Sequence, residues 1–440
     1  MTHRDPFSLL HPRHAIVDTI ERIYRYRMTT TSGGNISVRE DNGDVWITPA
    51  RVDKGSLRPT DIVRVATDGT SVGLHKPSSE FPFHRMIYDA RPDVRAVVHA
   101  HPVALVAFSI CGQSPDTTLF PQARNVCGEV GFAPYALPGS DRLGRNVADV
   151  FAKGFNCVML ENHGVVVAGT TLAEAFARFE TLEFTAKTAI KARRLGDLRG
   201  LSSAQIELSH RPRGLTQSFE PAEPTSQEKE ARQLVADFVL RGYRQRLLTS
   251  TEGSYSARLG DDAFVITSTG IDRAHTTPAN LTLVVGGKAE AGKRPSRAAA
   301  AHRAIYLRHP QIGSIVNAMP VNGAAFGVVG PAVGGSAVAP SLLDARTIPE
   351  SYIFLRDVGI VPYGVQYAEP HRLADLISPT RPVLLLENDG VLVAGQSPLD
   401  AFDRLEVLES TAEALINARS VGALTPMGED VVAELRRAFM

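Results

Sequence analysis

The residues with the clearest chemical potential in this chain are three histidines and a glutamate. His99 and His101 lie two apart in the run VVHAHP. On an extended strand, residues i and i+2 face the same side, with backbones roughly 6.6 Å apart. Two imidazoles so placed can converge on one cation, at the ~2.0–2.1 Å bond length usual for zinc. Pro102 ends the strand just after them. His163 sits in ENHGVV, a turn between two apolar runs, where it could supply a third ligand. Glu80 follows the loop Pro77-Ser78-Ser79. Either serine can cap a helix that places Glu80 in its first turn, where a carboxylate suits the helix dipole. Taken singly, each feature also reads as ordinary surface polarity.

The chain itself supplies the comparison that separates these readings. It repeats with a period of roughly 220 residues, long enough for two copies of a whole domain. ENHGVVVAG at Glu161 is answered by ENDGVLVAG at Glu387, GNISVR at Gly34 by GSYSAR at Gly253, and ITPARVD at Ile47 by ITSTGID at Ile266. KPSSEFPFHRMIY at Lys76 is answered by RPSRAAAAHRAIY at Arg294, and VVHAHP at Val97 by IVNAMP at Ile315. In the second copy Glu80 becomes Ala298, His99 becomes Asn317, His101 becomes Met319, His163 becomes Asp389 and Asn35 becomes Ser254. The surroundings persist: Gly34 and Gly253, His84 and His302, Pro102 and Pro320, Gly164 and Gly390. Unrelated surface histidines have no reason to vanish as a set. The joint loss marks His99, His101 and His163 as metal ligands with Glu80 beside them, and the retention of His84 marks that residue as structural. Three imidazoles with an open position describe a catalytic rather than a closed structural site. A nearby carboxylate suggests proton transfer beside a Lewis acid. The reaction expected is proton abstraction or carbon–carbon cleavage next to a carbonyl, through an enediolate held on the ion.

These residues need a scaffold of strands and helices. An amphipathic helix is expected around Ile16–Tyr26, and strands around Ile36–Arg39 and Val45–Thr48, flanking the turn signal DNG. Val94–His101 alternates as a strand, and CVMLENHGVVVAG reads as strand, tight turn, strand. Hairpins mixed with helices suggest a sheet covered by helices. Leu198–Glu230 is polar and proline-containing, the composition of a linker. The expected domains are residues 1–200 with the intact site, a linker over 201–225, and 226–440 as a degenerate copy.

Composition narrows the function classes. The chain has 440 residues, 43% hydrophobic and 21% charged, an ordinary globular balance. Its 47 basic residues offset 47 acidic ones, so net charge offers no footprint for nucleic acid or an anionic membrane. No apolar run approaches the ~20 residues of a membrane span, and no secretory h-region is visible, so a cytoplasmic setting is expected. Cys111, Cys127 and Cys157 form no metal or disulfide pattern and are expected as buried structural thiols.

The motifs SGGNIS, ITPA, KPSSEF, HAHP and ENHG, in this order, resemble the class II aldolase/adducin family over nearly all of the first copy and, in degraded form, the second. The resemblance implies a duplicated α/β fold, a three-layer α/β/α sandwich around a largely antiparallel sheet. It implies that His99, His101 and His163 hold a divalent metal, zinc first and manganese or iron otherwise, with Glu80 as the acid/base. It also implies that Asn35, Ser78 and Ser79 bind the anionic tail of a small-molecule substrate, and that the protein is a homo-oligomer. One departure stands out. Sugar-phosphate aldolases of the family carry a small residue and glycine after ITP, whereas this chain has Ala50 and Arg51. Arg51 would bind a phosphate or carboxylate, or else close the phosphate pocket. The leading expectation is a metal-dependent aldolase acting on a small sugar, sugar phosphate or hydroxy-keto acid. The alternatives are an epimerase, decarboxylase or dehydratase on the same metal, or a non-catalytic adducin-like binding module.

Overall fold

A computed structural model describes residues 10–211, 215–330 and 338–439. The chain forms two compact units, Met1–Thr117 with Gln122–Lys187, and Thr118–Pro121 with Thr188–Met440.

The first unit is built on eight strands: β1 (Asn35–Arg39), β2 (Val45–Ile47), β3 (Val63–Val65), β4 (Ser71–Val72), β5 (Ala96–Ala100), β6 (Val130–Ala133), β7 (Cys157–Leu160) and β8 (Gly164–Gly169). Their order is β4-β3-β2-β1-β5-β8-β7-β6. Among the described residues of this unit, only β6 and β7 pair in parallel. β5 lies at the centre, every residue buried, as a strand covered on both faces should be. Helix α1 (Pro12–Arg25) has proline in its first turn, basic residues in its last, and buries Ile16, Ile20 and Ile23 along one stripe. It packs on β1 and β2. α2 (Phe81–Ala90) and the helix Asp141–Ala152 cover the sheet through Phe83, Ile87, Val97, Leu143, Val147 and Val166. α3 (Val103–Ile110) packs on β7 and β8.

The second unit repeats this plan with β9 (Ser218–Phe219), β10 (Ser254–Gly260), β11 (Ala263–Ile266), β12 (Thr282–Val285), β13 (Lys288–Glu290), β14 (Ser314–Ala318), β15 (Ala339–Pro340), β16 (Gly359–Val361), β17 (Val383–Leu386) and β18 (Val391–Gly395). The order is β15-β16-β17-β18-β14-β10-β11-β12-β13-β9. Register is preserved between the copies: β1 pairs Asn35 with His99, and β10 pairs Ser254 with Asn317. Both units are thus three-layer α/β/α sandwiches around a mostly antiparallel sheet, as the sequence implies.

Three details differ from the sequence reading. The segment read as linker holds a helix, Ser203–His210, and β9, which joins the sheet beside β13. Glu80 is the N-cap residue of α2 rather than a member of its first turn, and its side chain makes no cap bond. Pro82 lacks an N–H, so one donor that a cap would satisfy is missing, and the carboxylate is free to turn inward. Cys111 is exposed where α3 ends, while Cys127 and Cys157 are buried. No helix among the described residues is long and apolar enough to cross a membrane.

Candidate metal centre

The β1–β5–β8 ladder assembles the site. His99 lies on β5 opposite Asn35 on one side and Val166 on the other. His101 follows two residues later, where the chain leaves the sheet for α3. His163 closes the β7–β8 turn, beside Asn162 at φ +54°. One ring nitrogen from each histidine falls within 4.8 Å of the others, the one such grouping of potential ligands among the described residues. His99 is fully buried and the other two are half-buried.

Hydrogen bonding bears on what this cluster could hold. His99 Nδ1 lies 2.9 Å from the carbonyl oxygen of Val165, which fixes its proton there and turns the lone pair of Nε2 inward. That nitrogen faces His101 Nε2 at 3.0 Å and Glu80 Oε2 at 3.2 Å. A lone pair set against a carboxylate is repulsive unless a proton or cation lies between them. Glu80 Oε1 approaches His163 Nε2 at 3.6 Å and is buried without a hydrogen-bond partner. Three imidazoles and an unsatisfied carboxylate therefore suit a divalent cation, with His99, His101 and His163 as the residues that would hold it.

The charges agree with this geometry. Burial alone would raise the Glu80 carboxyl, but the neighbouring His99 and His163 rings, with the Asn35 hydrogen bond, hold it well below the usual carboxylate range. Burial pushes His101 down to about 3 and His163 to about 4, so both rings are neutral and able to ligate at ordinary pH.

Asn35 stands in the site. Its Nδ2 donates to Glu80 Oε2 at 2.8 Å, and its Oδ1 accepts from His84 Nε2. Nδ1 of His84 meets the Ser37 hydroxyl at 2.7 Å, and that hydroxyl meets the Tyr88 hydroxyl at 2.7 Å. His84, which the sequence marks as structural, is thus one bond from the amide that holds Glu80. No signal in the sequence exposes this link, because in the other copy His302 bonds the Ser256 hydroxyl, which in turn meets the Tyr306 hydroxyl, as in the first. There Asn317, in the place of His99, takes the bond to His302 Nε2 at 2.7 Å.

The other predicted residues sit on adjoining loops. Ser78 is buried, and its hydroxyl accepts from the Glu80 N–H. Ser79 and Arg51 are exposed. Their loops are tied together by Ser78 N–H to Thr48 and Ala50 N–H to Lys76. Arg51 has φ +58°, while its counterpart in the second copy is Gly270 at +82°.

A three-layer sandwich whose sheet centre presents a three-histidine cluster with a carboxylate defines a metal-site class of α/β protein. The chain belongs to the Class II Aldolase and Adducin N-terminal domain family, which matches residues 14–190 and 233–416. It is 38% identical over 170 residues to the 3-oxo-tetronate 4-phosphate decarboxylase of Cupriavidus necator, a match spanning 38% of this chain and 77% of that protein. It is 32% identical over 167 residues to the L-fuculose phosphate aldolase of Methanocaldococcus jannaschii, spanning 38% and 88%. The Escherichia coli structure of YgbL superposes with a TM-score of 0.42 at 31% identity, covering 46% of this chain and 97% of that one.

Proposed function

We propose that the first unit is a metal-dependent carbon–carbon lyase acting on a small phosphorylated sugar acid or sugar, with decarboxylation of a 3-oxo acid as the first reading. The observation that carries it is the convergence of His99, His101 and His163 on a buried, under-bonded Glu80. Likeness to 3-oxo-tetronate 4-phosphate decarboxylases, at 38% and 36% identity to two of them, points to the reaction. An ion held by His99, His101 and His163 would supply a Lewis acid for a carbonyl oxygen of the substrate. Glu80 receives or returns the proton at Oε1, the oxygen without a partner, while Asn35 anchors Oε2. Ser79, Arg51 and the backbone N–H groups at the start of α2 hold the anionic tail. Ser78 orients the loop through its bond to the Glu80 N–H. Burial of His99 and Glu80 keeps water from competing.

Aldol cleavage is the second reading. It is favoured by Glu80 being held ionised, since that reaction begins by removing a proton from a hydroxyl group. The metal-loaded protein should be offered a 3-oxo sugar-acid 4-phosphate and a ketose 1-phosphate. Release of CO2 from the first supports decarboxylation. Triose-phosphate release from the second supports aldol cleavage. Turnover of neither defeats the proposal.

A further inference from the structure

Among the described residues, six other than glycine have positive φ: Arg27, Arg51, Asn162, Arg246, Arg356 and Asn388. Four form pairs repeated between the copies. Arg27 and Arg246 each follow the first long helix of a unit, and Asn162 and Asn388 occupy the ENHG and ENDG turns. Strain present in both copies belongs to the fold. The other two residues are specific to one copy, and each stands where the sister copy has glycine. Arg51 is opposite Gly270, and Arg356 is opposite Gly128 at φ +69°. The second equivalence follows from sheet register: Gly131 pairs with Val158 and Gly359 with Leu384, three residues beyond each position. Arg356 has φ +57° and ψ −124°, a conformation glycine adopts freely and arginine does not.

In exchange for that strain the position gains a guanidinium. Arg356 lines a cleft of the second unit together with Gln311, Ser378, Asp400 and Arg404. Its Nε is buried without a hydrogen-bond partner. Arg404 is the counterpart of Arg178, and each bonds a carbonyl at the same place, Phe354 and Val126 respectively. The lining has one carboxylate, Asp400, which already accepts from Arg404 Nε and from the Gln396 N–H. Asp357, next to Arg356 in sequence, acts instead on Arg346 and Arg436. Burial and then the charge of Arg404 both disfavour the charged form of Arg356. Two guanidiniums therefore share a cleft with a single, engaged counter-charge. At the same position Gly128 leaves open space.

We propose that this cleft of the second unit binds an oxyanion, the phosphate or carboxylate of a small metabolite, between Arg356 and Arg404. Guanidiniums match both groups through paired N–H donors, and Gln311 and Ser378 add neutral donors. The site is separate from the metal centre and explains why a strained arginine stands where the sister copy has glycine.

The test is calorimetric titration of the full, metal-loaded chain with inorganic phosphate and, separately, with malonate. It is done in an Arg51→Gly background, which removes the first unit's arginine contact. The event assigned to the second unit is the one that the Arg356 variants weaken, and the tighter probe for that event identifies the source as phosphate or carboxylate. Arg356→Gly relieves the backbone, so its melting temperature should hold or rise, and in both Arg356→Gly and Arg356→Asn affinity falls roughly tenfold or more. Unchanged binding in both variants, or no saturable binding of either probe, overturns the site.

Discussion

The amide of Asn35 donates to Oε2 of Glu80 at 2.8 Å, joining the first residue of β1 to the N-cap of α2. The bond leaves Oε1, which has no hydrogen-bond partner, as the oxygen proposed to carry the proton, and His84 dictates which way the amide points. Glu80→Gln should keep the fold and the metal yet lose roughly 10²–10⁴ in turnover, the scale of a positioned acid or base. Asn35→Leu should lose less, because the carboxylate survives without its anchor. Steady-state rates on metal-loaded protein check both. A Glu80→Gln variant near the native rate removes Glu80 from proton transfer.

Metal content gives a second check. His99, His101 and His163 converge, whereas the second unit has Asn317, Met319 and Asp389 at those positions. One divalent ion per chain is expected by elemental analysis after gentle purification, and His101→Ala should remove most of it. Two ions per chain would mean that the degenerate copy also binds.

Acid should destabilise the metal-free protein. Burial holds His84 at about 3, His101 at about 3, and His163 and His302 at about 4. Below their ordinary value near 6.5 the unfolded chain takes up protons that the native rings refuse. Stability is therefore full above about pH 6.5 and declines toward pH 4, by up to about 1.4 kcal/mol per pH unit for each such ring. Glu80 acts in the same direction lower down, since the unfolded carboxyl protonates near its ordinary value while the native one stays ionised. Urea midpoints should drop between pH 7 and pH 5, and equal midpoints would contradict the burial of these rings.

Much of the site was legible because the repeat exposes it. The alternation in VVHAHP places His99 and His101, and their joint replacement in IVNAMP separates candidate ligands from scaffold. That logic fails where both copies agree. His84 and His302 are kept, yet one bonds Asn35 and the other Asn317, and identical letters conceal different partners. The N-cap position of Glu80 was hidden because Ser78 and Ser79 both looked like caps. Only the turn itself shows Ser78 bonding to the Glu80 N–H. The helix in the expected linker did carry a signal: Ser202 and Gln205 form a reciprocal capping box. Polar composition outweighed it in the reading.

Arg51 offers the sharpest separation of binding from folding. It holds φ +58° where the sister copy has Gly270, and it is exposed on a loop tied to that of Ser79. Arginine in that conformation is retained at a backbone cost, so its side chain should matter to the substrate rather than to packing. Arg51→Gly removes the strain along with the charge. The melting temperature should stay the same or rise, while KM for a phosphorylated substrate rises roughly tenfold or more and kcat changes less, as expected when an interaction common to the ground and transition states is lost. A variant with unchanged KM would show that Arg51 lies outside the anion contact. A variant with lowered thermal stability would show that the side chain supports the loop instead.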